Sequence, residues 1–250
     1  SFFLMTRALR KKRLFPQLRL PSKSDIGLVL EYAGPLFVIT AARVLGFSAM
    51  AFTASTLGTT QLAAYQVIMS MFVVFVFVGG PLSQNAQTLL PSLIDRGDSK
   101  GLRRTFRNIF ILANVVAAVT SVLYFAVLRF GSAAFTADAG VLAEVLKASF
   151  SCTLPAASLM VMSSVDGAMT AAKDFKFIVV YQCLAVAVQL FLLSEIRSRG
   201  LGLSSIFSTF TLRLWICAIG AGVCVLGGFG RLGGTMGLRH RRQAPLNSTA

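Results

Sequence analysis

The 51 residues from Val44 to Ile94 contain no Asp, Glu, Lys, Arg or His. Drawn out as one helix at ~1.5 Å per residue they measure ~76 Å, more than twice the ~30 Å hydrocarbon core of a bilayer. One membrane crossing cannot hold them. The best turn signal inside the run is Leu57-Gly58-Thr59-Thr60, so it reads as two membrane-crossing helices joined by a very short uncharged loop. The second ends in a polar island from Gly79 to Gln87 that a plain lipid anchor does not need.

Composition agrees. The 250 residues are 55% hydrophobic and 13% charged, with mean hydropathy +0.74, whereas soluble domains carry about 25% charged residues. The net charge of +15 raises the question of a nucleic-acid binder, but the basic residues lie between apolar runs and the aromatic ones within them, which is not a nucleic-acid surface. Cys152, Cys183, Cys217 and Cys224 fall in expected spans without metal-ligand spacing, and read as small packing residues. The single histidine, His240, sits in a basic tail. No metal site or cofactor is expected.

Further charge-free stretches bring the expected spans to six, at about 28–56, 61–92, 107–128, 142–171, 175–194 and 204–229. Three regions follow: a basic juxtamembrane segment over 1–25, a six-helix bundle over 26–229, and a basic, disordered tail over 230–250. The start at Ser1-Phe2-Phe3-Leu4-Met5 has no signal-peptide pattern and reads as the interior of a longer chain. Most of the 24 Lys and Arg lie in the leading segment, the loop after span two (Arg96 to Arg107), the loop after span four (Lys173, Lys176) and the tail (Arg231 to Arg242). The alternate loops hold Arg129, Lys147, Arg197 and Arg199. The positive-inside rule therefore puts both ends and the two basic loops on the cytoplasmic or stromal side. The cluster Arg10 to Arg13 fits a topology determinant; contact with lipid headgroups is the other reading.

Several groups in the spans are costly in hydrocarbon. Pro35, Pro81, Pro91 and Pro155 each remove a backbone hydrogen bond, and Gly79-Gly80-Pro81 is the best hinge candidate. Gln84, Gln87 and Pro91 share one helical face with Thr88 beside it, where amides bind a neighbouring helix or a passing solute. Glu31, Arg43, Asp166 and Arg213 are ionisable, and each costs ~2.5–3.5 kcal/mol at a helix centre, so they are expected to face the bundle interior or water. Counted along the expected spans, Glu31 and Asp166 lie near the inner surface and the two arginines deeper. That pattern suits protons or cations on the carboxylates and an anionic solute on the guanidiniums; pairing of the four among themselves is the competing account. No nucleophile and base pairing, zinc motif or phosphate loop occurs, so an enzyme is not expected.

The stretch from Gly34 to about Lys176 resembles the second half of a MATE (multidrug and toxic compound extrusion) transporter. The residues that carry it are Gly34-Pro35, the hairpin Leu57-Gly58-Thr59-Thr60-Gln61-Leu62-Ala63-Ala64-Tyr65-Gln66-Val67, the segment Pro81-Leu82-Ser83-Gln84-Asn85-Ala86-Gln87, and Asp166-Gly167 followed by Ala171-Ala172-Lys173-Asp174. The look is closest to the plastid-type plant and algal branch. The resemblance implies an all-α lobe of a twelve-helix antiporter that exports small organic compounds, organic anions among them, against protons or sodium. Its partners would be that solute, H+ or Na+, membrane lipid and an N-terminal lobe of the same chain. It implies a plastid envelope, or otherwise a plasma or vacuolar membrane. Ion coupling falls to Asp166 and Glu31, and the solute path to Arg43, Arg213, Gln84, Asn85 and Gln87. In two places the chain departs from the branch: Gly80 and Ser92 stand where relatives often carry an acid. A non-transporting scaffold or degenerate half-transporter is the alternative.

Overall fold

The computed structural model describes residues 23–236. They form α1 (Lys23–Leu57), α2 (Thr59–Asp95), α3 (Ser99–Ala126), α4 (Ala139–Ala171), α5 (Phe175–Arg199), α6 (Leu203–Leu226) and the short α7 (Gly230–Met236). A π turn at Val127–Gly131 and a 3-10 turn at Ser132–Ala134 prolong α3. There is no strand among the described residues, and six of the helices are long and apolar enough to cross a membrane. Among the described residues, those up to Leu36 and those from Phe37 onwards fall into separate units. Of the first, residues 23–36 are helical and open α1; the bundle belongs to the second.

Local chemistry sets the ends of the helices. Gly58 alone separates α1 from α2, at φ +134°, a conformation that L side chains rarely adopt. Asp98 caps α3 by accepting from Gly101 N at 2.9 Å, and Asp138 caps α4 by accepting from Gly140 N at 2.7 Å. The Asp98 cap explains why α3 begins at Ser99, about two turns before the apolar stretch does. The basic residues Lys100 to Arg107 are thus helical rather than part of a loop.

The most buried helix is α4, which packs against α2, α3 and α6. Its Gly167 lies so close to α2 that a Cβ would sit 2.6 Å from the Ser83 carbonyl oxygen. The face α2 turns to the core is Gly79, Leu82, Ala86 and Leu90. Above this contact Phe72 meets Phe210 and Tyr124 edge-on at 5.8 and 6.0 Å, and the Tyr124 hydroxyl donates to Ile68 O at 3.2 Å. A buried phenol of this kind needs such a partner.

Contacts between chain ends show which ends share a side. At one end Asp174 accepts from Arg231 N and Leu232 N at 2.8 and 2.9 Å, Arg231 pairs with Asp95 at 3.2 Å, and Arg103 donates to Met236 O. At the other, Ser204 Oγ donates to Lys147 O at 3.3 Å, and the Arg197 guanidinium lies 5.5 Å over the Phe52 ring. Among the described residues, the two basic loops and the start of the tail are therefore also grouped in space. The same contacts correct one boundary: residues 230–236, placed in a disordered tail, form α7, because Asp174 binds its first amides and Arg103 its last carbonyl. Residues 237–250 lie outside the described residues.

Candidate functional site

A polar cluster runs through the bundle between α1, α4, α5 and α6. Arg43 Nη2 of α1 donates to Asp166 Oδ2 of α4 at 2.5 Å, and the Tyr181 hydroxyl of α5 donates to Asp166 Oδ1 at 3.3 Å. The Asp166 side chain is 18% exposed and that of Arg43 42%, so one side of the pair stays open.

Behind the pair stands Arg213 of α6, only 3% exposed. Its Nη1 donates to Gln189 Oε1 of α5 at 3.0 Å, and its guanidinium carbon lies 4.8 Å from the Phe210 ring centre and 5.2 Å from that of Phe47. Amide and rings together offset part of the cost of a buried cation, since a desolvated cation over an aromatic face gains ~2 kcal/mol or more. Arg213 Nε and Gln189 Nε2 have no partner among the described residues. Gly46 is what lets α1 lie here: a Cβ would collide with the Arg213 guanidinium and come within 2.7 Å of Gln189 Oε1. One turn along, Cys217 Sγ sits 3.7 Å from Gln182 Oε1.

Arg43, Asp166 and Arg213 lie close enough to feel one another's charge. Two guanidiniums face one carboxylate, leaving one positive charge in excess within this cluster of described residues. Depth counted along separate spans set Asp166 apart from the arginines. The structure instead pairs it with Arg43, because tilted helices and a long arginine arm bridge such offsets.

The other candidates lie elsewhere. Gln84, Asn85 and Gln87 are exposed on the outside of α2, with Gln87 Nε2 donating to Ser83 Oγ at 3.0 Å. They are not buried against a helix of this bundle, since the face towards α4 demands the small and apolar residues Gly79, Leu82 and Ala86. Pro81 is exposed, and α2 runs unbroken through Gly79-Gly80-Pro81 and Pro91. Glu31 is helical, but its side chain lies outside the described residues.

Tyr181, Gln182 and Gln189 complete the cluster beyond the residues that the sequence points to. The signal was present: Gln182 and Gln189 are carboxamides seven apart in an apolar span, the same kind of signal that drew attention to Gln84 and Gln87.

The bundle has known counterparts. A solved MOP superfamily transporter from Pyrococcus furiosus, whose binding pocket is described as being of reverse polarity, superposes with a TM-score of 0.70 over 88% of this chain and 48% of its own, at 13% identity. Over 162 residues, 64% of this chain, the sequence is 25% identical to Protein DETOXIFICATION 47, chloroplastic, of Arabidopsis thaliana. In sequence the chain resembles that plant relative, and in fold it resembles one lobe of the archaeal transporter. The chain spans 30% of the plant relative's length and about half of the archaeal protein's. No family model matches it.

Proposed function

We propose that this MATE-type lobe works in a secondary active transporter that exports small organic compounds by alternating access, driven by a proton or sodium gradient. Asp166 is the ion-coupling group, with Glu31 the second candidate, and Arg43 and Arg213 favour anionic solutes. The observation that carries this reading is the Arg43–Asp166 pair backed by the uncompensated Arg213. A charged pair at this depth has two settings. With Asp166 ionised, Arg43 is engaged; with Asp166 neutralised by a proton, Arg43 is released and the cluster gains a second unbalanced positive charge. Such a two-state element is what couples an ion to a solute.

The exposed amides of α2 supply the wall of the path. Three uncharged polar side chains held against hydrocarbon would each cost on the order of 1–3 kcal/mol, so this face looks onto water or another polar surface. Gly79-Gly80-Pro81 is the hinge that would let it move. A plastid membrane is part of the same proposal, supported by the chloroplastic relative.

The test is uptake of a radiolabelled organic anion into vesicles bearing the whole protein under an imposed pH gradient. Gradient-driven flux is expected to vanish in Asp166→Asn while solute exchange without a gradient survives. Undiminished gradient-driven flux in that variant would remove Asp166 from the coupling. Equal transport of an anion and its neutral analogue, by both Arg43→Gln and the wild type, would remove the anion preference.

A further inference from the structure

Away from the polar cluster, α3, α4 and α6 enclose an apolar groove of about 640 Å³, within the ~300–1,000 Å³ that ligand pockets occupy. Phe106, Phe110 and Asn114 form one wall, Val161 and Val165 the floor, and Trp215 part of the other wall. From Phe106 to Ser121 along α3 it extends ~22 Å, deeper than one leaflet of a ~30 Å core.

Towards the basic side it adjoins a smaller cavity of about 250 Å³ lined by Arg103, Val225, Leu226 and Met236; Val225 and Leu226 line both. Arg103, Phe106, Arg107, Phe110 and Asn114 follow one another on a single face of α3; Arg103 lines the smaller cavity, and Arg107 is exposed one turn further along the same face. Arg103 gives one hydrogen bond set to the Met236 carbonyl. Neither arginine has a carboxylate partner among the described residues: Asp95, Asp98 and Asp174, which lie at this end, are engaged by Arg231, by the Gly101 amide and by α7.

We propose that the groove holds an acyl chain of an anionic phospholipid from the leaflet on the basic side, with the headgroup phosphate on Arg103 and Arg107. Charge complementarity selects this occupant: basic pockets at the inner ends of transmembrane helices attract anionic headgroups, while the groove below offers nothing but apolar surface and three small polar side chains. A soluble anion gains nothing from the apolar groove. A zwitterionic lipid gains less at its mouth. The site lies on faces of α3 and α6 that the Arg43–Asp166 cluster does not use, so it stands whether or not the transport reading does.

Trp215, the single tryptophan of the chain, lines the groove ~17 Å along α6 from Leu226 and reports its occupant directly. The full chain is reconstituted in phosphatidylcholine vesicles containing either phosphatidylglycerol or phosphatidylcholine brominated towards the far end of the acyl chain, with Trp215→Phe as the fluorescence background. Brominated phosphatidylglycerol is expected to quench Trp215 at much lower mole fraction than brominated phosphatidylcholine. That preference should weaken about fivefold for each of Arg103→Gln and Arg107→Gln, and remain in Arg104→Gln, whose side chain leaves the helix on another face. An Arg103→Lys variant that keeps the preference guards against a folding defect. Equal quenching by the two lipids overturns the proposal. So does quenching by neither, the result if another segment or chain covers the groove, or a preference that survives loss of both arginines.

Discussion

Arg43 and Asp166 meet at 2.5 Å across 123 residues of sequence, joining the first long helix of the bundle to the fourth. No other ion pair among the described residues lies inside the membrane-spanning part: Lys147–Glu144, Arg199–Glu195 and Arg231–Asp95 all sit at its ends. Removing either member leaves a charge held in a poorly solvated place. The two single variants Arg43→Gln and Asp166→Asn should each destabilise the protein, and the double variant should cost less than their sum, with a coupling of roughly 1–3 kcal/mol. Thermal unfolding of the four proteins in one detergent closes the cycle; strict additivity would show that the pair is not coupled.

The same geometry fixes the sign of ion and solute linkage. Neutralising Asp166 frees Arg43 and leaves two guanidiniums without a carboxylate, so an organic anion should bind more tightly at low pH. In Asp166→Asn it should bind tightly at all pH values, by a factor on the order of 5–150 over the ionised wild type. A cationic solute would show the reverse, since it competes with the proton for the carboxylate. Equilibrium binding at two pH values distinguishes the cases.

Arg213 separates function from stability. Arg213→Met keeps the length and apolar contacts of the side chain between Phe47 and Phe210 and removes a buried cation whose Nε has no partner. Replacing a buried charge with a well-packed apolar side chain is often neutral or stabilising. The variant should therefore melt at or above the wild-type temperature while losing anion binding. Gln189→Leu should do the opposite to stability, by about 1–3 kcal/mol, because it strands the Arg213 Nη1 donor.

Gly167→Val should force α2 and α4 apart, since even a Cβ would lie 2.6 Å from Ser83 O and 2.9 Å from Ala86 Cβ. Overpacking of this kind costs ~1–3 kcal/mol, read as a lowered melting temperature. Gly80→Ala, where nothing lies within 4 Å of the added Cβ, is the matched control and should leave stability nearly unchanged.

Asp174→Ala should release α7 by removing the acceptor for Arg231 N and Leu232 N, a cap whose loss costs ~0.5–2 kcal/mol. Trypsin should then cut at Arg231 faster than in the wild type, with the six long helices intact.

The sequence by itself determined the six crossings, their order and which ends share a side. Those properties follow from local quantities: an uninterrupted apolar run, a glycine able to take positive φ at Gly58, and the grouping of basic residues in alternate loops. The MATE likeness was legible for the same reason, since Leu57 to Val67 and Pro81 to Gln87 keep their register along the chain. Which polar residues look at one another was not legible, because it depends on how the helices pack. Gln84 and Gln189 are both carboxamides in apolar spans, yet Gln84 is exposed on α2 and Gln189 is 1% exposed beside Arg213. Composition cannot separate them. The close approach at Gly167 turned one face of α2 inwards and left its amides outside, and the gap at Gly46 admitted Arg213. Arg43 could meet Asp166 only once tertiary packing had laid α1 beside α4, α5 and α6.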